Sequence, residues 1–145
     1  MKSLNHGEAV SDGAAALQAL REHVPGLTSA AAIGYCFGGG VAFGMAIGGA
    51  VDAAIAYYGT GLHLMVADMP KLKGRVLLHV AGDDHLCPPD AQAVIKAAAD
   101  QAGDRAEVVI YPGVGHAFAR RGGATFNQNA ADQANARTMG LLETL

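Results

Sequence analysis

Tryptophan is absent, and only 6% of the 145 residues are aromatic, so a core cannot be built around large flat rings. Charge is scarce too, at 16% of residues, with a formal net charge of −3 and a pI near 6.0. That balance leaves no electrostatic footprint for nucleic acid or an anionic bilayer, and neither is an expected partner. No apolar run reaches the roughly 18 residues of a membrane span. Two cysteines, Cys36 and Cys87, are too few for a disulfide scaffold and lack metal-pair spacing. No two histidines stand in an HxxxH or HExxH relation, so no metal or other cofactor is expected. The start, Met1-Lys2-Ser3-Leu4-Asn5-His6-Gly7-Glu8, has no apolar signal region. A reduced, cytoplasmic setting follows as the expectation.

Small residues fill the space that large ones leave. Apolar residues make up 51% of the chain, yet 30 Ala and 20 Gly account for 50 of its 145 positions. The glycines show no three-residue period, which excludes collagen. Helices and sheet must therefore pack with their backbones close together. The length and apolar content fit one folded domain, not a disordered chain.

Residues 8–23 read as a helix, with Ala9, Val10, Ala14, Leu17, Leu20 and Val24 at helical spacing before Pro25-Gly26. Apolar runs at 30–35, 53–58, 75–81 and 107–111 read as strands. Between them, 38–46 is a small-residue helix, and 88–102 is a helix with Pro in its first turn and Gly103 after its end. Residues 127–145 form a closing helix, and 59–73 is unassigned, with room for a loop carrying one helical turn. Strands alternating with helix-length connections predict an α/β fold, a mainly parallel sheet of about four strands covered on both faces.

Gly34-Tyr35-Cys36-Phe37-Gly38 matches the nucleophile-elbow pattern G-x-S-x-G with Cys in place of Ser. The pattern needs a strand before it and a helix after it, and both are expected here. Glycines two residues either side leave room for a tight turn against the neighbouring strand and helix. The helix start also brings partial positive charge near Cys36. A base and an acid should follow at later strand ends, in the order nucleophile, acid, histidine. The strand at 75–81 leads into Gly82-Asp83-Asp84-His85, and that at 107–111 leads into Pro112-Gly113-Val114-Gly115-His116. Either Asp83 or Asp84 can serve as the acid on this reading.

These motifs, with Tyr57-Tyr58-Gly59-Thr60-Gly61-Leu62, Asp84-His85-Leu86-Cys87-Pro88 and Gly115-His116-Ala117-Phe118-Ala119-Arg120, resemble the dienelactone hydrolase (carboxymethylenebutenolidase) family of α/β-hydrolases. The resemblance implies a Cys-His-Asp triad on Cys36, His116 and Asp84, the Asp just before the His. It implies that Arg120 holds a substrate carboxylate and that Tyr57 lies near the substrate. The implied chemistry is cleavage of a small carboxylate-bearing cyclic ester through a thiol ester. Cys36 would attack, His116 would activate water, and Asp84 would orient the imidazole. The Phe37 backbone N–H would donate to the oxyanion.

The resemblance covers the C-terminal portion of the family's domain, and about four strands that come first in the family have no counterpart. It therefore implies a single, N-terminally truncated domain over 1–145, without the second oxyanion donor, the acidic partner of the Cys or a second Arg. Weak or absent activity of the isolated chain is expected. The strand at 30–35 should then form an exposed apolar edge, covered by self-association or by pairing with a separate N-terminal half. The rival expectation is a non-catalytic relic or assembly module; a thiol-redox role would need a C-x-x-C that the chain lacks. Among the remaining residues, Cys87 and His85 are expected in loop or packing roles and His79 in the core. His6, His23, His63 and Arg121 are expected at the surface.

Overall fold

The short apolar runs and the helical stretches between them pair into a parallel sheet in the computed structural model, which describes residues 5–145. In chain order the strands are β1 (Ala31–Tyr35), β2 (Ala53–Tyr57), β3 (Arg75–Ala81) and β4 (Ala106–Tyr111). The helices are α1 (His6–His23), α2 (Phe37–Ile47), α3 (Pro89–Ala102) and α4 (Gln128–Leu142). Spatial order follows chain order, β1-β2-β3-β4, and each neighbouring pair is parallel, with Tyr35 opposite Tyr57 and Tyr57 opposite His79. Every residue of β2 is buried, as its unbroken apolar run requires of a strand covered on both faces.

The period-two alternation of the strands separates two cores. One face turns Ala54, Ala56, Leu78 and Val80 toward α2 and α3, with Val10 and Leu17 of α1 packed behind. The other turns Ile55, Tyr57 and Leu77 toward Phe118 and the alanines of α4. Small residues set the approach of the helices. A Cβ on Gly44 would lie 2.5 Å from Val10 Cγ2, and one on Gly13 would lie 2.8 Å from Met45 Sδ. Larger residues at either place would push α1 off α2.

Three departures from the sequence reading have local causes. Residues 59–73 form two 3₁₀ segments, Leu62–Leu64 and Val66–Lys71, anchored by buried Leu62, Val66, Met69 and Leu72. α1 begins two residues early because Asn5 caps it, its side chain accepting from the Gly7 N–H at 2.9 Å. That extra length overturns the surface placement of His6. Its ring packs 4.3 Å from that of Phe37, and its Nε2 is buried without a hydrogen-bond partner among the described residues. His23 is exposed and His63 partly so.

α4 is tied to the sheet by a buried polar ladder. The Tyr57 hydroxyl lies 2.8 Å from Asn135 Oδ1 and 2.7 Å from Thr138 Oγ1. Thr138 Oγ1 is also 3.0 Å from His79 Nε2, while His79 Nδ1 is 3.0 Å from the Tyr111 hydroxyl. His79 is thus a hydrogen-bonded core residue, and burial, followed by the charge of Arg137, lowers its pKa to about 4. The ladder stops short of β1. Ala31, Ile33 and Tyr35, on the α4 side of that outer strand, are exposed, with Ile33 at 46% and Tyr35 at 51%.

Candidate active site

In parallel α/β sheets, binding clefts form beyond the carboxyl ends of the strands. Here each strand end delivers one chemically distinctive residue. Cys36 follows β1, Tyr58 follows β2, Asp84 lies three residues beyond β3, and His116 lies five beyond β4. Cys36 caps α2 in a non-helical backbone with φ 54 and ψ −121. Its N–H is anchored on the Tyr57 carbonyl at 3.0 Å, and its carbonyl accepts from Gly39, Gly40 and Thr60. These bonds hold the strained turn from both sides.

Of the two glycines flanking the elbow, Gly34 is sterically required and Gly38 is not. A Cβ on Gly34 would meet Gly38 O at 1.9 Å, so only glycine fits there. A Cβ on Gly38 would meet nothing within 4 Å, because Gly38 faces away from the sheet. The tight positions in α2 are the next two: a Cβ on Gly39 would lie 2.8 Å from Gly59 Cα, and one on Gly40 would lie 2.4 Å from Thr60 O.

Of the two carboxylates, Asp84 is the one brought to the histidine. His116 Nδ1 donates to Asp84 Oδ2 at 2.8 Å, and the Leu86 N–H donates to Asp84 Oδ1 at the same distance. Asp84 is 5% exposed, whereas Asp83 is exposed and its N–H donates to the Val114 carbonyl. With its proton on Nδ1, His116 presents Nε2 as an acceptor, and that atom is buried without a partner among the described residues. Thr125 fixes the loop by donating its hydroxyl to the His116 carbonyl at 2.6 Å.

Cys36 and His116 open into one cavity of about 440 Å³, lined also by Tyr35, Tyr58, Ala117, Ala119 and Arg120. All the non-glycine residues with positive φ in the described chain border it: Cys36 (54°), Tyr58 (40°) and Ala117 (65°). Such conformations cost about 1–3 kcal/mol each and gather where a backbone is held for function. Phe37 is the first residue of α2, so its N–H stands outside the helix ladder and beside Cys36. Arg120 is exposed on the cavity rim, and Arg121 beside it is exposed to solvent.

Tyr57 does not line the cavity. Its ring is buried on the α4 side and its hydroxyl belongs to the ladder, so the neighbouring Tyr58 takes the place at the cleft. The sequence reading placed Tyr58 inside the strand at 53–58; β2 ends at Tyr57, and the next residue leaves the sheet at the cleft. His85 has its ring 6.1 Å from that of His116 but lies outside the lining. Cys87 is buried, and burial, then Asp84 and Asp90, push its thiol up to about 11. A second cavity, of about 430 Å³, lies at the opposite strand ends among Arg75, Gly103, Asp104 and Glu107, and no Cys or His lines it.

A parallel sheet whose first strand turns through a strained elbow into a helix, with Asp and His at later strand ends, is α/β-hydrolase architecture. The chain belongs to the dienelactone hydrolase family, whose model matches residues 1–145. It is 36% identical to carboxymethylenebutenolidase of Pseudomonas putida over 113 residues, which are 78% of this chain and 48% of that protein. It is likewise 36% identical to carboxymethylenebutenolidase 1 of Cupriavidus pinatubonensis over 117 residues, 79% of this chain and 48% of that one. The crystal structure of dienelactone hydrolase from Anabaena variabilis superposes with a TM-score of 0.68 at 25% identity, covering 94% of this chain and 61% of that one. The chain thus spans about half the length of the curated relatives it matches. No helix among the described residues is long and apolar enough to cross a membrane.

Proposed function

We propose that the chain carries the reacting half of a dienelactone hydrolase-like site, acting on a small carboxylate-bearing cyclic ester through Cys36, His116 and Asp84. The observation that carries this is the His116–Asp84 hydrogen bond, made by a histidine that lines the same cavity as the elbow cysteine. Cys36 sulfur attacks the ester carbonyl, and the ring oxygen leaves with its electron pair. The resulting thiol ester is hydrolysed by water that gives a proton to His116 Nε2. Asp84 holds the tautomer that leaves Nε2 free and stabilises the imidazolium. Phe37 N–H faces the developing oxyanion, and Arg120 matches a carboxylate with its planar fork.

Phe37 is the oxyanion donor that this reading identifies, and each missing donor costs about 10²–10³ in rate. Weak turnover of the chain by itself is therefore part of the reading. Its free thiols suit a reducing compartment such as the cytoplasm. The open β1 edge favours a second element of the reading: another polypeptide, a second copy or a separate N-terminal half, covers that edge. The rival, a non-catalytic assembly module, shares that element and lacks the chemistry.

Mass spectrometry after mixing with an activated ester separates the two. The hydrolase reading expects an acyl adduct on Cys36 that decays with time, is absent in Cys36→Ala, and persists in His116→Ala. No adduct on the wild-type chain, with Cys36 no more reactive than a free thiol, would leave the module reading.

A further inference from the structure

The tyrosines at the carboxyl end of the sheet differ in what their hydroxyls do. Tyr57 and Tyr111 engage theirs in the buried ladder. The Tyr58 hydroxyl makes no hydrogen bond among the described residues, although Tyr58 is only 5% exposed and borders the Cys36 cavity. Its backbone is held at φ 40, with the N–H donating to the His79 carbonyl at 2.7 Å. Its ring is wedged edge-on against His116 at 5.1 Å and Phe118 at 5.4 Å. The side chain therefore has little freedom to turn away from the cavity. Burial, then Tyr35, Cys36 and Tyr57, push this phenol up to about 12 against the opposing pull of Arg120. The group keeps its proton at neutral pH and remains a donor. Arg120, on the same cavity, forms no ion pair among the described residues.

Resting on the reading of this cavity as the reaction site, we propose that the Tyr58 hydroxyl is a substrate-binding donor that, with Arg120, holds an anionic oxygen of an acidic ester. Tyr58 then sets a preference for carboxylate-bearing over neutral substrates, its strained backbone holding the side chain on the cavity that Cys36 also lines. A donor that meets a charged acceptor in a partly enclosed site discriminates strongly against a ligand lacking the charge.

Alkylation of Cys36 by iodoacetate and by iodoacetamide tests this without turnover. In each reaction sulfur forms a bond to carbon and iodide leaves with the C–I pair. The ratio of the two rates cancels changes in thiol reactivity or access common to both reagents. Peptide mapping separates Cys36 from the buried Cys87. The wild-type chain should favour iodoacetate relative to glutathione, and Tyr58→Phe should lower the ratio about fivefold or more, as should Arg120→Gln. An unchanged ratio in folded Tyr58→Phe overturns the proposal. In the wild-type chain, succinate should protect Cys36 from iodoacetamide while succinamide should not; equal or no protection also overturns it. Failure of ester hydrolysis would sink the hydrolase reading but leave this ratio readable.

Discussion

At the scale of single residues, the candidate site rests on which of two adjacent side chains faces the cleft. Asp84 is buried against His116 and Asp83 is in solvent, so Asp84→Asn should lower ester turnover by about 10³ or more, with the imidazole in the wrong tautomer. Asp83→Asn should stay within about twofold, and stopped-flow release of nitrophenol compares the two. The sequence alone left Asp83 and Asp84 level, because a loop carries no period from which to read direction; family resemblance separated them. Tyr57 and Tyr58 were open to the opposite error. Strand alternation sends Tyr57 into the α4 core, and the exit from the strand turns Tyr58 to the cleft, but where β2 ends is set by its pairing with β3. His79 gives a pH prediction. The unfolded chain takes up a proton near pH 6.5, and the folded state resists it until about 4, chiefly through burial. Stability should be full above about pH 6.5 and fall toward pH 4, by on the order of 3 kcal/mol. Urea titrations across that range check this, and His79→Gln should flatten the slope.

At the scale of elements, the β1–α2 elbow was the most legible part of the chain. A strand, a tight turn and a helix each impose their own residue demands, and all of them fall within a few positions. What the sequence could not show was which glycines the packing needs. Gly34 in β1 meets the backbone of α2, Gly39 and Gly40 meet the chain after β2, and Gly38 meets nothing within 4 Å. Gly34→Ala should cost about 3–5 kcal/mol or prevent folding, as a buried steric conflict with backbone. Gly38→Ala should be neutral or stabilising by about 0.5–1 kcal/mol, since alanine loses less entropy in a helix. Thermal melts of the two variants provide the contrast. The 3₁₀ segments after β2 were illegible because Leu62, Val66, Met69 and Leu72, although three or four residues apart, lie among Gly59, Gly61, Pro70 and Gly74, which interrupt a continuous helix.

At the scale of the whole molecule, the sheet is covered unevenly. β2 and β3 lie under helices on both faces, whereas β1 leaves Ile33 and Tyr35 open beside the Cys36 cavity. Light scattering should show concentration-dependent association, and Ile33→Lys, a charge on the open edge, should shift the population toward monomer. A wild-type chain that stays monomeric at high concentration would count against a covered edge. The parallel order was legible from the alternation of strands and helices, while the bareness of β1 depends on what lies beyond its outer side. The polar ladder beneath α4 carries a further consequence, because each hydroxyl has one hydrogen to give. With Tyr57 donating to Asn135 Oδ1, Thr138 must donate to Tyr57, His79 Nε2–H to Thr138, and Tyr111 to His79 Nδ1. The four bonds therefore run in one direction from β4 to α4, and that direction admits one neutral tautomer of His79. A proton added to Nδ1 would meet the Tyr111 hydroxyl head-on and force it to turn, so acid would loosen α4 by breaking the sense of the chain at a single atom.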